Sequence, residues 1–481
     1  MTKIGLEIHC QLTNLESKLF CSCKANYREF SPNTNICPIC VGLPGTLPRL
    51  NKKAVEKSTI IALALNCETP PKIAFFRKNY FYPDLPKNFQ ITQLDAYGPT
   101  SIGHDGKISI EGKEIRIRRI QIEEDPGRLI YEGESEKTQI TLVDYNRAGV
   151  PLVEIVTEPD FENPKQVRVF LNILVDLLSN LGVSDPTLDG ALRADGNVSV
   201  DGGNKVEIKN VSSFHDLEKA VHFEITRQQS LVERKIPVIS ETRQWDEKRK
   251  ITVSARTKEE EQDYRFFLEG DIPWVKLDST HFEKLKEKMP KSIATKKAEY
   301  AEYLQPQVAN TLATDPYWSN MMNSCMSTFQ NEITSGNVDY INSCITECGN
   351  IITTNLMALE DTKEKREKSN IDSTDVEDIA KAVVTNEITR HESKRALHDM
   401  EETGKPLSKI ISEQGLGNVS KEFEITSVIE EIIKEEANAV KEIKEKPETI
   451  NFLVGQVMKK TKGKADPSIT LDILKKKLDL S

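Results

Sequence analysis

No stretch of 18 or more apolar residues occurs in this chain, and its N-terminus has no apolar signal core. A membrane span is not expected, and a cytoplasmic setting is. Charge of one sign is not in large excess either. Seventy-five acidic against 65 basic residues give a net charge of −10, which argues against indiscriminate polyanion binding, so any nucleic-acid contact must rest on local basic patches. There is no GxxxxGK[ST] loop, which excludes a P-loop nucleotide fold. There is no GxSxG elbow, so the chain is not expected to make its own acyl-enzyme. Nine cysteines, odd in number and unevenly spaced, do not form a secreted disulfide framework. Internal repeats and low-complexity segments are lacking too.

The 481 residues present suffice for two to four domains, each with its own core. Residues 1–290 read as α+β: IEGKEIRIRRIQIEED, ITLVDYN, VPLVEIVTEP and KVEIKNV alternate or run apolar in strand fashion. One helix is well punctuated, with Asn163 as cap, Pro164 in the first turn and Gly182 as stop. Residues 291–407 read as helical, with Thr374 and Glu377 spaced as a capping box and EDTKEKREKSNIDS as a solvated connection. Residues 408–481 form a small helical tail, basic at its end. The expected architecture is a mixed-sheet α+β domain with a small zinc-binding insertion at about 20–45, an all-α linker and a helical tail.

Chemistry-bearing residues sit in the strands. In IGLEIHCQL, alternation puts Leu6, Ile8, Cys10 and Leu12 on one face and Glu7, His9 and Gln11 on the other. VPLVEIVTEP places Glu154 inside an apolar run expected to be buried on both sides. RIQIEEDPG ends on Glu123, Glu124 and Asp125, and KVEIKN carries Glu207 and Lys209. Carboxylates with one imidazole suit Mg²⁺ or Mn²⁺, the ions of phosphoryl transfer. The same glutamates could equally pair with Arg116, Arg118, Arg119, Arg147 and Arg193; spacing leaves both readings open.

Cys21, Cys23, Cys37 and Cys40 have the spacing of a closed, structural four-thiolate zinc site, with a redox CxxC or unligated core cysteines as alternatives. Cys10, Cys67, Cys325, Cys344 and Cys348 read as packing residues. FFRKNYFYPDLPKNFQITQ mixes Arg77, Lys78 and Lys87 with Tyr80, Phe81, Tyr82 and Phe89, either a base-stacking, phosphate-holding surface or an aromatic core strand. In the tail, Lys459, Lys460, Lys462, Lys464, Lys475, Lys476 and Lys477 outweigh Asp466, Asp472 and Asp479, as RNA-backbone contact or a solvated helix face would have it.

IGLEIHCQL, CPICVGLPGTLP, RKNYFYPDLPKNFQITQ, IEEDPGRL, LVDYNRAGVPLVEIVTEPDF, LRADGNVSV, EIKNVSSF and KEEEQDYRFF stand here in the order found in one family. The chain closely resembles, over essentially its whole length, the GatB subunits of the aspartyl/glutamyl-tRNA amidotransferases. The resemblance implies an ATP-dependent ligase component of a heterotrimer. It would phosphorylate the side-chain carboxylate of Asp-tRNA(Asn) or Glu-tRNA(Gln), then pass it to ammonia released by an amidase-like glutaminase partner, the pair being braced by a small third subunit. It implies that His9, Glu124 and Glu154 hold one magnesium, and that Glu7, Glu123 or Glu124, and Glu207 hold or approach a second. Asp195 and Lys209 would lie near the acceptor end or the phosphates, with Arg77, Lys78, Tyr80, Tyr82, Arg147 and Arg193 lining the pocket. The tail, with Lys459, Lys460, Lys462 and Lys464, would bind tRNA. Ala255, Phe266 and Gly270 depart from the commoner pattern. A non-catalytic, zinc-containing tRNA-binding scaffold is the competing reading.

Overall fold

The computed structural model describes residues 1–131, 140–257, 264–332, 337–417, 422–436, 439–440, 449–461, 465 and 467–478. Two compact units divide the chain, Met1–Ser292 and Ile293–Ser481.

In the first unit the strands are β1 (Thr2–Gln11), β2 (Lys72–Ile73), β3 (Phe76–Asn79), β4 (Phe89–Thr92) and β5 (Gly103–Ile110). There follow β6 (Lys113–Glu124), β7 (Arg128–Tyr131), β8 (Thr141–Asp144), β9 (Pro151–Thr157) and β10 (Leu192–Val200). The last are β11 (Val206–Lys209), β12 (Glu241–Asp246), β13 (Ile251–Thr257), β14 (Phe267–Leu268) and β15 (Val275–Lys276). Eight of them make one sheet in the order β13-β12-β11-β10-β1-β9-β6-β5. Its pairs are antiparallel except β11 with β12, so the sheet is mixed.

One face of this sheet is the core. Leu6, Ile8, Cys10, Ile120, Ile122, Val153, Ile155, Ala194, Val198 and Ile208 are buried there beneath helices α1 (Lys52–Ala64), α2 (Pro164–Asn180) and α3 (Phe214–Glu233). Each large aliphatic so removed from water contributes about 1.5–3 kcal/mol. Gly196 lies against α3: a Cβ there would stand 3.3 Å from Val221 and 3.4 Å from Leu217. Helix α2 begins as its punctuation suggests, with Asn163 Oδ1 accepting from the Gln166 N–H at 3.1 Å, and Gly182 takes φ +62° beyond its end. The opposite face of the sheet carries the polar set.

The second unit is helical throughout its described elements. A core of Tyr300, Trp318, Met322, Phe329, Ile345, Ile379 and Leu397 gathers the helices between Ile293 and Gln414. A separate, smaller cluster of Ile429, Ile432, Leu453, Val457 and Leu474 gathers helices Glu422–Glu435, Ile450–Lys460 and Pro467–Lys477. Two local expectations change. The capping box lies at Asp372 and Asp375, not Thr374 and Glu377, because Asp372 caps helix Ser373–Val384 while Glu377 turns inward and is buried. The charged connection holds a short helix of its own, Lys363–Lys368, capped by Thr362.

Candidate functional site

Alternation along β1 sends Glu7 and His9 to the face away from the helices, and sheet register then selects their neighbours. Glu7 stands opposite Asp195 on β10; His9 stands opposite Arg193 on β10 and Glu154 on β9. On β6, Gln121 faces Glu154, so Glu123, two residues on, shares that side. As a result the ligand atoms of Glu7, His9 and Asp195 lie within 4.8 Å of one another, and so do those of His9, Glu123 and Glu154. His9 is common to both groups, its Nε2 3.8 Å from Glu7 Oε1 and 3.5 Å from Glu123 Oε1. β9 has its apolar side chains Val153 and Ile155 in the core, while Glu154 looks the other way and keeps partial access to solvent. It is not buried on both faces.

Crowding shows in the titration of these groups. Burial, with Glu7 and Glu123 adding to it, pushes the Glu154 carboxyl up to about 8. Burial likewise raises Glu123 to about 7, against the pull of Lys78 and the Thr92 hydroxyl. Asp195 rises to about 6 by burial, offset by Lys209. Burial holds the His9 imidazole down near 4, so it is neutral at pH 7, the form that ligates metal. Lys209 Nζ lies 3.3 Å from Asp195 and 3.4 Å from Glu207. These acids and Glu7 outweigh the burial of Lys209 and keep it charged.

The arginines are occupied elsewhere. Arg116 pairs with Asp160 and Arg118 with Glu158, while Arg147 and Arg193 converge on Asp125. Among the described residues none of these, nor Arg119, forms an ion pair with Glu123 or Glu154. A carboxylate-rich group with one neutral imidazole is the donor set of a hard divalent cation, whose neighbouring ligands lie about 3 Å apart. The residues fit such an ion.

Two of the cavities near the sheet hold residues singled out above. One of about 750 Å³ is lined by Lys78, Tyr80, Tyr82, Lys209, Gln244 and Tyr264. Lys78 Nζ lies 4.7 Å from the Tyr264 ring centre, and Tyr80 meets Tyr264 edge-on at 5.9 Å. The other, of about 250 Å³, is lined by Cys21, Cys40, Arg77, Lys87, Glu124 and Glu269. There Glu124 accepts from Lys87 Nζ at 2.6 Å and from the Ile91 N–H at 2.8 Å. At its edge the sulfurs of Cys21, Cys23, Cys37 and Cys40 lie within 4.8 Å of one another. Four thiolates around one zinc at 2.3 Å stand about 3.8 Å apart, so this set fits that ion.

The GatB/GatE catalytic domain family matches residues 2–283, and a GatB domain family matches residues 340–478. Proteins named as the B subunit of aspartyl/glutamyl-tRNA(Asn/Gln) amidotransferase are similar from end to end. That of Saccharolobus solfataricus is 40% identical over 485 residues, 100% of both chains. That of Sulfurisphaera tokodaii is 40% identical over 484 residues, again 100% of both. That of Methanosarcina barkeri is 38% identical over 493 residues, 99% of this chain and 98% of the other. The chain belongs to the GatB family.

Within this GatB chain some residues that the resemblance groups together lie apart. Glu124 does not join His9 and Glu154: adjacent residues of a strand face opposite sides, and Glu124 is held by Lys87 in the smaller cavity. Glu123 lies beside them instead. Glu207 is held by the Thr242 hydroxyl at 2.9 Å and by Lys209, outside either ligand group. Arg77 points with Glu124 into the smaller cavity, forked onto Glu269 at 2.6 and 2.9 Å, whereas Lys78, Tyr80 and Tyr82 line the larger one. Arg147 binds the Pro126 and Gly127 carbonyls at 3.0 and 2.6 Å, bracing a turn. Arg193 reaches Asp125 at 2.9 Å. Among the lining residues that escaped the sequence reading are Gln244, which carries no motif signal, and Tyr264, which the QDYRFF stretch could have offered. Lys462 and Lys464 lie outside the described residues. Lys459 is exposed, while Lys460 pairs with Glu431 and Glu435 and Lys477 with Glu430. Among the described residues no helix is long and apolar enough to cross a membrane.

Proposed function

We propose that this GatB chain is the ATP-dependent activating component of a cytoplasmic, heterotrimeric tRNA-dependent amidotransferase, working with an amidase-like glutaminase and a small third subunit. Its substrate is Asp-tRNA(Asn), Glu-tRNA(Gln) or both. The convergence of Glu7, His9, Glu123, Glu154 and Asp195 from four strands onto one polar face carries this reading. A carboxylate is inert to ammonia because its leaving group would be oxide. Transfer of the γ-phosphoryl group of ATP to the side-chain carboxylate gives an acyl phosphate and ADP; attack by ammonia then releases inorganic phosphate and leaves the amide. His9, Glu123 and Glu154, with Glu7 and Asp195 beside them, would hold a magnesium ion, which would supply charge to neutralise the phosphates. Lys78 and Lys209 add fixed cations at the wall of the larger cavity, and Tyr80, Tyr82 and Tyr264 offer aromatic faces for a base.

Zinc held by Cys21, Cys23, Cys37 and Cys40 would be structural. The separate apolar cluster of the last helices supports a division of the second unit into a linker and a tRNA-binding tail, with the boundary beyond Leu416 rather than at 407, since Ile410 and Leu416 belong to the larger cluster. The test is Glu123→Gln in the complex reconstituted with the glutaminase and the small third subunit. ATP-dependent phosphorylation of aminoacyl-tRNA is expected to be lost while tRNA affinity stays within about twofold. Unchanged phosphorylation overturns the reading.

A further inference from the structure

Lys18 is wholly buried, which is rare for lysine unless its charge is met. Its Nζ donates to the Asn35 carbonyl at 3.0 Å and lies 3.8 Å from Cys40 Sγ. That carbonyl is fixed in turn: the Asn35 N–H donates to Asn146 Oδ1 at 2.8 Å, and the Asn35 side-chain amide donates to the Lys24 carbonyl at 2.9 Å. Gly149, at φ +84°, borders the lysine stem and Cys40: a Cβ there would stand at ordinary contact distance, 3.6 Å from Lys18 Cδ and 3.5 Å from Cys40 Cβ. Among the described residues no carboxylate forms an ion pair with Lys18. Glu124, in the same wall, is already bound at both oxygens by Lys87. A carbonyl oxygen and a sulfur are thus the partners of a dehydrated ammonium, and of the two only the sulfur can carry a full negative charge.

We propose that Lys18 is the counter-charge of the four-cysteine site, its ammonium bonded to the Cys40 thiolate and so setting how tightly the site keeps its metal. The proposal rests on the zinc reading above. Four thiolates around a divalent cation carry a net charge of −2, and burying that charge is unfavourable without a nearby cation. One ammonium halves it, and an N–H···S bond draws density from the sulfur without displacing it from the metal. The lysine and the metal are then mutually dependent: an empty site with neutral thiols leaves Lys18 uncompensated, and a neutral residue at 18 leaves the metal–thiolate group overcharged.

The test uses the full chain with Co²⁺ as a spectroscopic probe and zinc affinity read by chelator competition. Lys18→Met is expected to weaken zinc binding about 10–100-fold and to move the thiolate-to-cobalt charge-transfer band to longer wavelength, since the sulfur loses its hydrogen bond. In a Cys40→Ser background the same lysine substitution is expected to change affinity less than threefold, whereas a general loosening of the loop would persist there. Lys18→Gln serves if the methionine variant does not accumulate folded. Affinity within twofold of wild type with an unmoved band overturns the role of Lys18 while leaving the zinc site standing. A wild-type chain that takes up neither Co²⁺ nor zinc overturns both.

Discussion

Replacing Glu154 with glutamine should make the metal-free protein more stable, the reverse of most substitutions at a half-buried polar position. The Glu154 carboxyl keeps its proton in the folded state up to about pH 8, whereas in the unfolded chain it gives it up near pH 4.3. Between those values the folded state binds more protons than the unfolded one, so this group costs stability progressively as pH rises. A shift of between three and four pH units at about 1.36 kcal/mol each bounds the cost near 5 kcal/mol. Since the residue keeps partial access to solvent and its acidic neighbours are themselves partly protonated, about 2 kcal/mol is the realistic share. Glutamine has nearly the same shape and never ionises. Without metal, Glu154→Gln is expected to match wild type at pH 5 and to exceed it by about 2 kcal/mol at pH 8. Magnesium should reverse the order, because at a hundred times its dissociation constant it adds about 2.7 kcal/mol to a chain with an intact site. The chain has two units, so global unfolding need not be two-state. Hydrogen exchange of peptides from β1 and β9 in graded urea reads the relevant unit alone. A variant less stable than wild type at pH 8 without metal would refute anion crowding as the character of this face.

Other substitutions probe other parts of the molecule. Gly106→Ala should cost about 1–3 kcal/mol in urea denaturation, because a Cβ there would fall 2.3 Å from Cys67 Sγ and 2.7 Å from the Leu65 carbonyl oxygen. Cys37→Ser with Cys40→Ser should reduce zinc from about one per chain to none by metal analysis, and hydrogen exchange should rise in residues 20–45 but not in β9. Changing Lys475, Lys476 and Lys477 together to alanine should weaken tRNA binding and flatten its salt dependence by fewer than three phosphate contacts, since Lys477 is already paired with Glu430. An unchanged slope in a salt titration would remove the helix Pro467–Lys477 from the tRNA surface.

What could be read from the sequence is what depends on neighbours in the chain. Period-two alternation is enough to put Glu7 and His9 on the side of β1 opposite Leu6 and Ile8. Asn163, Pro164 and Gly182 delimit a helix through bonds spanning a few residues, and the cysteine spacing brings four sulfurs together within one loop system. Which carboxylates meet His9 is a different kind of fact. It follows from strand order and register, which place Glu154 and Asp195 beside β1 across more than a hundred residues of chain. The choice between Glu123 and Glu124 turns on which side of β6 faces the side chain of His9, and the lone positive charge on Lys18 acquires meaning only when Asn35 and Cys40 fold over it. Local chemistry follows from covalent order and backbone periodicity. Convergence follows from how sheets pair and pack, because burial decides which charges must find one another.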